Sequence, residues 1–266
     1  MIESGPTQDT DGGVMSPLPS YEALREAGQG THLNPDVYLL FWSLNGPLSV
    51  AIRVMDDCFY DPDSVPESYV LPAPDANGST LHPISQSSLT AAKISSVTVK
   101  ISPLDDWENT WLDLHRNHSE PGDNESDDTH WGQLPDYDSD DDETDFGEFL
   151  LKCCGMERPR PNTAGLLVQA SGDFVTVHDY VSALHPWIMG KRDDILGAIG
   201  ALNEEPLPAE TPLMVFPGLH SVLVTDQKEW RSMKRRKGTY TGNLTRMISI
   251  GVDNKIHTWD STSDTP

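Results

Sequence analysis

The chain has 266 residues, of which 42 are Asp or Glu and 18 are Lys or Arg, giving a formal net charge of −24. Hydrophobic residues make up 36%, too many for a wholly solvated acidic chain and fewer than the roughly 45–50% of an ordinary globular domain, so one part is expected to fold and another to stay solvated. No apolar run reaches the roughly 18 residues of a membrane span, and Met1-Ile2-Glu3-Ser4-Gly5-Pro6 lacks the basic and apolar regions of a secretory leader. The expectation is a cytoplasmic or nuclear protein that is not secreted.

Residues 1–34, rich in Gly, Pro, Ser and Asp, read as a flexible lead with a short helical stretch from Tyr21 to Ala27. One α+β domain is expected over residues 35–260, with a tail at 261–266. Val37 to Leu44 and Pro47 to Val54 flank Asn45-Gly46, a dipeptide that tolerates the positive φ angles of a two-residue turn, so the segment predicts a hairpin with Pro47 at the edge of its strand or outside it. Residues 56–90 form a Pro, Ser and Asp-rich connection. Lys93 to Ile101 then alternates apolar and polar side chains as a half-buried strand does, and Trp107, Trp111 and Leu114 fall at the spacing of a short amphipathic helix.

Residues 105–148 carry seventeen carboxylates and one cation, Arg116. Such a stretch repels itself and gains little from collapse, which predicts a disordered acidic insertion at about 117–145. Its densest part, Asp136, Asp138, Asp140, Asp141, Asp142 and Glu143, repels phosphate backbones and anionic lipid heads. The partner it points to is therefore a basic protein surface, with no direct nucleic-acid contact and no membrane contact. The Asp136, Asp138, Asp140 series imitates the start of a calcium loop, but Asp141 stands where the loop needs Gly and Gly147 where it needs a bidentate Glu. Ser139, followed by four carboxylates, suits an acid-directed kinase.

Order is expected to resume at Phe146 to Cys153. Ala164 to Ala170 and Phe174 to Val177 read as short strands, and Thr176 with Asp179 forms a capping-box pattern ahead of a helix carrying Val181, Leu184, Ile188, Ile195, Ile199 and Leu202. Pro186 should kink or restart that helix. Further strands are predicted at Leu213 to Phe216, at Leu219 to Thr225, and at Arg246 to Val252 paired with Lys255 to Trp259, with a helix from Asp226 to Lys237. Neither side of the acidic stretch has enough strong elements to bury a core alone, so the fold class is α+β: a single domain with a mostly antiparallel sheet and few helices, interrupted by the acidic insertion.

The segment from Asp173 to Trp187, with Val175-Thr176-Val177, Asp179 and His185 at its centre, resembles a Val-Thr-Val-x-Asp-Val-Leu-x-Ala-Ile-His type segment of uncharacterised fungal proteins. The resemblance implies a small fungal α+β domain and brings no catalytic residue with it.

His178, Asp179 and His185 are the most enzyme-like group, because a histidine beside a carboxylate can act as a general base; Asp179 is already accounted for as a cap, which favours a structural role. Asp113, His115, His118, Asp123 and His130 can ligate metals but lie in a polar, broken stretch without a packed surrounding, so no metal or cofactor is assigned. Lys234, Arg235, Arg236 and Lys237 form a nuclear-import candidate, against which stands a solvated helix end. Cys58, Cys153 and Cys154 are expected to be free, the adjacent pair inert and buried. No phosphate-cradling loop, nucleophile elbow or zinc-protease motif is present. The expected function is a non-enzymatic binding module using its acidic loop; the alternative is a small-molecule enzyme or pathway accessory with a pocket near His178 and His185. The oligomeric state is not readable from the sequence.

Overall fold

The computed structural model describes residues 17–72, 78–118, 129–135, 148–203 and 205–235. The carboxylates from Asp136 to Glu143, Ser139, Arg236, Lys237 and the strand pair expected at Arg246 to Trp259 lie outside them.

In chain order the elements are α1 (Tyr21–Glu26), β1 (Leu40–Trp42), α2 (Leu48–Ala51), β2 (Ile52–Val54), β3 (Glu67–Ser68), β4 (Val70–Pro72), β5 (Ser79–Leu81) and β6 (Ser96–Ile101). They continue as α3 (Ser102–Leu114), β7 (His130–Gly132), β8 (Phe149–Cys153), β9 (Met156–Glu157), β10 (Leu166–Gln169), α4 (Val177–Met189), α5 (Arg192–Leu202), β11 (Leu213–Phe216), β12 (Ser221–Asp226) and α6 (Gln227–Lys234). The fold is α+β, and most strand pairs are antiparallel.

The central sheet runs β10-β6-β12-β11. In β6 the alternation expected from Lys93 to Ile101 holds: Val97, Val99 and Ile101 are buried and the residues between them partly so. It pairs antiparallel with β10 and parallel with β12, through Lys100 opposite Ser221. Helix α3 packs on α5 and β12, while α4 lies on β10. One apolar core takes side chains from Tyr21 to Val224, so segments on both sides of the acidic stretch contribute to it.

Five expectations require correction. The acidic stretch expected to be disordered at about 117–145 is ordered in part, because His130–Gly132 forms β7 and pairs antiparallel with β8. The lead is not loose throughout: from residue 17 it packs, with Tyr21, Leu24 and Leu33 in the core and the Glu22 carboxylate accepting the Thr98 amide at 2.7 Å. Residues 56–90 hold β3, β4, β5 and a 3₁₀ turn at Pro83–Gln86 rather than a bare connection. The hairpin at Asn45-Gly46 does form between β1 and β2, with Trp42 opposite Ile52, but its connection is longer than two residues and contains α2. A two-residue turn would set Leu44 against Pro47, which has no N–H for the ladder; Pro47 instead starts α2, its carbonyl accepting the Val50 and Ala51 amides. Phe174 to Val177 is no strand: Thr176 bridges Ser88 as an isolated pair, because Thr176 already serves as the N-cap of α4.

Helix α4 starts where the capping box predicts. The Thr176 hydroxyl accepts the Asp179 amide at 3.1 Å, and the Asp179 carboxylate accepts the Thr176 amide at 2.9 Å. Its inward face, Val177, Tyr180, Val181, Leu184, His185 and Ile188, follows the three-and-four spacing of a helix stripe. The helix continues past Pro186 and breaks at Gly190, whose amide donates to the Pro186 carbonyl at 3.0 Å, before α5 restarts at Arg192.

Candidate functional site

His178, Asp179 and His185 share α4 but do not converge. Asp179 is held by Ser171 and Thr176: burial alone works against its charge, yet the hydrogen bonds from these two residues outweigh it and hold the carboxyl below the usual range. His178 shares a hydrogen bond of 3.3 Å with the Tyr69 hydroxyl and stacks on that ring, the planes 24° apart. Burial, together with the nearby Asp179 charge, keeps the Tyr69 phenol protonated far above its ordinary range.

His185 belongs to the core. Its Nδ1 accepts from the Trp42 indole N–H at 3.1 Å and its Nε2–H donates to the Gly46 carbonyl at 3.0 Å, so both ring nitrogens are occupied and the neutral tautomer is defined by its partners. Burial, only partly offset by the Gly46 carbonyl, holds its pKa below 6.5.

A pH dependence follows from this tautomer. Below its ordinary pKa the unfolded chain protonates this imidazole, while the folded chain keeps it neutral. The unfolded state then binds more protons, and stability falls as pH drops through 6.5 toward the folded value. The slope from this one group is at most about 1.4 kcal/mol per pH unit. Urea midpoints measured between pH 7.5 and about 5 should fall more steeply for the wild type than for His185→Gln; parallel curves would exclude His185 as the source.

Lys234 corrects the import reading. It is buried at the end of α6, where its ammonium donates to the Tyr38 carbonyl at 2.7 Å and the Cys58 carbonyl at 3.1 Å and lies over the rings of Phe216 and Trp230. Burial lowers its pKa to about 8 against the pull of Cys58 and Asp57. A receptor that reads a displayed basic run cannot reach this side chain; Arg235 is exposed.

Beside Lys234 the chain forms a concavity that the sequence reading left unremarked. A cleft of about 420 Å³ is lined by residues that include Asp56, Asp57, Asp61, Phe59, Tyr60 and Arg235. Two Asx turns shape it, Asp57 accepting the Phe59 amide at 3.1 Å and Asp61 the Asp63 amide at 3.0 Å, and Asp56 accepts the Ser64 hydroxyl at 2.9 Å. Tyr60 packs edge-on to Trp230 and holds the Arg231 guanidinium 5.3 Å from its ring centre. The signal for this site was local, because Asp56-Asp57-Cys58-Phe59-Tyr60-Asp61-Pro62-Asp63 sets four carboxylates around two aromatic rings within eight residues.

Metal-capable groups are also brought together elsewhere. His115 lies beside Cys153 and Cys154, with potential ligand atoms all within 4.8 Å of one another, whereas His130 is exposed on β7. Cys153 is buried as expected, but Cys154 is exposed. No protein-family model matches the sequence, and no curated protein and no solved structure matches it. Among the described residues no helix is long and apolar enough to cross a membrane.

Proposed function

We propose that this protein is a non-enzymatic binding module that takes a cationic segment of a protein partner into the cleft at Asp56, Asp57 and Asp61. The observation that carries the reading is the cleft itself, a concavity with three carboxylates and two aromatic residues, Phe59 and Tyr60, in its lining. Arginine and lysine side chains pair with carboxylates and lay their flat or apolar parts on aromatic faces. Tyr60 already accepts one such cation, Arg231, within the protein.

The carboxylates from Asp136 to Glu143 have a complementary role in this reading. With a net charge of −24, the chain attracts basic surfaces over a distance of about a Debye length, and that attraction acts on the rate of encounter more than on the final contacts. The competing reading, an enzyme with a pocket at His178 and His185, is disfavoured by His185, whose two nitrogens are both spent inside the core.

The test is binding of an arginine-rich peptide, followed by fluorescence anisotropy and stopped flow. The double variant Asp57→Asn, Asp61→Asn keeps an acceptor oxygen for each Asx turn but removes two charges. It should bind about tenfold or more weakly, chiefly through faster dissociation. Replacing Asp136, Asp138, Asp140, Asp141 and Asp142 by Asn and Glu143 by Gln, which leaves β7 in place, should slow association at low salt and leave dissociation unchanged. Wild-type affinity in the double variant would reject the cleft, and an unchanged association rate in the charge-neutralised variant would reject the acidic stretch as a steering element.

A further inference from the structure

The geometry points to a second, separate site: His115, Cys153 and Cys154 bind a thiophilic metal ion of the zinc type. This inference does not depend on the cleft. His115 is the C-cap of α3, Cys153 is the last residue of β8, and Cys154 opens the two-residue turn into β9.

The two sulfurs lie 3.7 Å apart. Two thiolates bound at about 2.3 Å to a tetrahedral ion stand about 3.8 Å apart, so the pair already has the separation that a metal requires. The ligand atoms of all three residues fall within 4.8 Å of one another, so the imidazole needs to approach by no more than about 1.3 Å to complete the set.

The imidazole is oriented for the task. Its Nδ1 lies 2.7 Å from the Trp111 carbonyl, which can only accept, so Nδ1 carries the proton and Nε2 keeps a lone pair. Metal-binding histidines are held in this way, the distal N–H tied to a carbonyl or carboxylate. Trp111 lies against the ring, 4.4 Å between centres, and its buried indole N–H has no hydrogen-bond partner among the described residues. Trp111 and Cys153 share one small apolar cluster, so ionising the thiols brings an anionic acceptor into the surroundings of that donor.

The turn supplies a further observation. Cys154 and Gly155 both have positive φ, 51° and 77°, as in a two-residue hairpin turn whose first position favours Asn, Asp or Gly. Cysteine is a poor choice for that backbone, and what it contributes is a sulfur next to that of Cys153. Cys154 is exposed while His115 and Cys153 are buried, which leaves one open side for an ion to enter.

On binding, each thiol loses its proton to solvent as its sulfur bonds to the metal, and His115 donates the Nε2 lone pair, so two protons are released per ion. Solvent takes the remaining position. Sulfur ligands select zinc-type ions over magnesium or calcium. The carboxylate of Glu108 on α3 already pairs with Arg158 at 2.6 Å and Arg160 at 3.0 Å, just past β9, so the metal would add a second fastening between α3 and this hairpin. Together they close the base of the chain stretch that carries the acidic residues.

The experiment uses the reduced, metal-free full-length protein, titrated with Co²⁺ and then Zn²⁺. One equivalent of Co²⁺ should produce a thiolate-to-metal charge-transfer band, displaced by one equivalent of Zn²⁺ with a dissociation constant below about 1 µM. Cys154→Asn, which suits the turn, should keep the wild-type circular dichroism, lose most of the band and bind Zn²⁺ at least tenfold more weakly; His115→Gln should also weaken binding, and Cys58→Ser should change neither reading. In the unsubstituted protein, Zn²⁺ should slow alkylation of Cys154 by iodoacetamide, read by peptide mass. Absence of the band, wild-type Zn²⁺ affinity in Cys154→Asn, or alkylation of Cys154 indifferent to Zn²⁺ would each overturn the site.

Discussion

Replacing Trp42 by alanine is expected to cost about 3–5 kcal/mol of folding stability, measured by urea denaturation at neutral pH. Trp42 is fully buried where β1 meets α4, its ring edge-on to Tyr180 with centres 6.1 Å apart. Truncation removes that packing and leaves a cavity beside Tyr180 and His185 on α4. It also strips the donor from His185 Nδ1, which would keep a buried, unpaired lone pair. Trp42→Phe separates the two effects: it retains most of the volume and loses the hydrogen bond, so its cost should be about 1–2 kcal/mol. Equal losses in the two variants would show that packing contributes little at this position.

Lys234→Ala should lower stability by about 3 kcal/mol, a large effect for a residue in a run of four cations. The change leaves the Tyr38 and Cys58 carbonyls without their donor and removes the ammonium lying over the Phe216 and Trp230 rings. Relief from burying the ammonium opposes this loss only in part. Lys234→Met keeps the stem and should lose less. The pH response has a definite sign. Because the folded pKa is lowered to about 8 from 10.5, the unfolded chain holds this proton at pH values where the folded chain has released it, so stability from this group rises as pH climbs above 8. Between pH 8 and about 9 the wild type should gain on Lys234→Ala; a gap that narrows would reject the buried-ammonium account.

What could be read from the sequence follows how local each cause is. The cap of α4 was legible because Thr176 and Asp179 satisfy one another across a single turn, and β6 was legible because its alternation reports one buried face. The hairpin was half legible: the pairing of Leu40 with Val54 follows from apolar patterning, but the form of its connection depends on what Pro47 cannot donate. Lys234 was misread because four successive cations look like a surface, although position 234 is one helical turn from the buried Trp230 and follows it inward. A structural role was favoured for His185, but its actual partners could not be read, because Trp42 and Gly46 stand far away in the chain. The grouping of His115 with Cys153 and Cys154 was illegible for the same reason, the acidic stretch lying between its members.

The parallel pairing of β6 with β12 has a consequence for how the molecule is made. Lys100 waits for Ser221, so on the ribosome the middle of the sheet stays incomplete until Ser221–Asp226 has emerged. During that interval the edge of β6 that takes β12 lacks its partner, and the surplus of negative charge synthesised next keeps nascent neighbours apart. A stalled or truncated product ending before β12 would therefore be a substrate for chaperones rather than a smaller working protein.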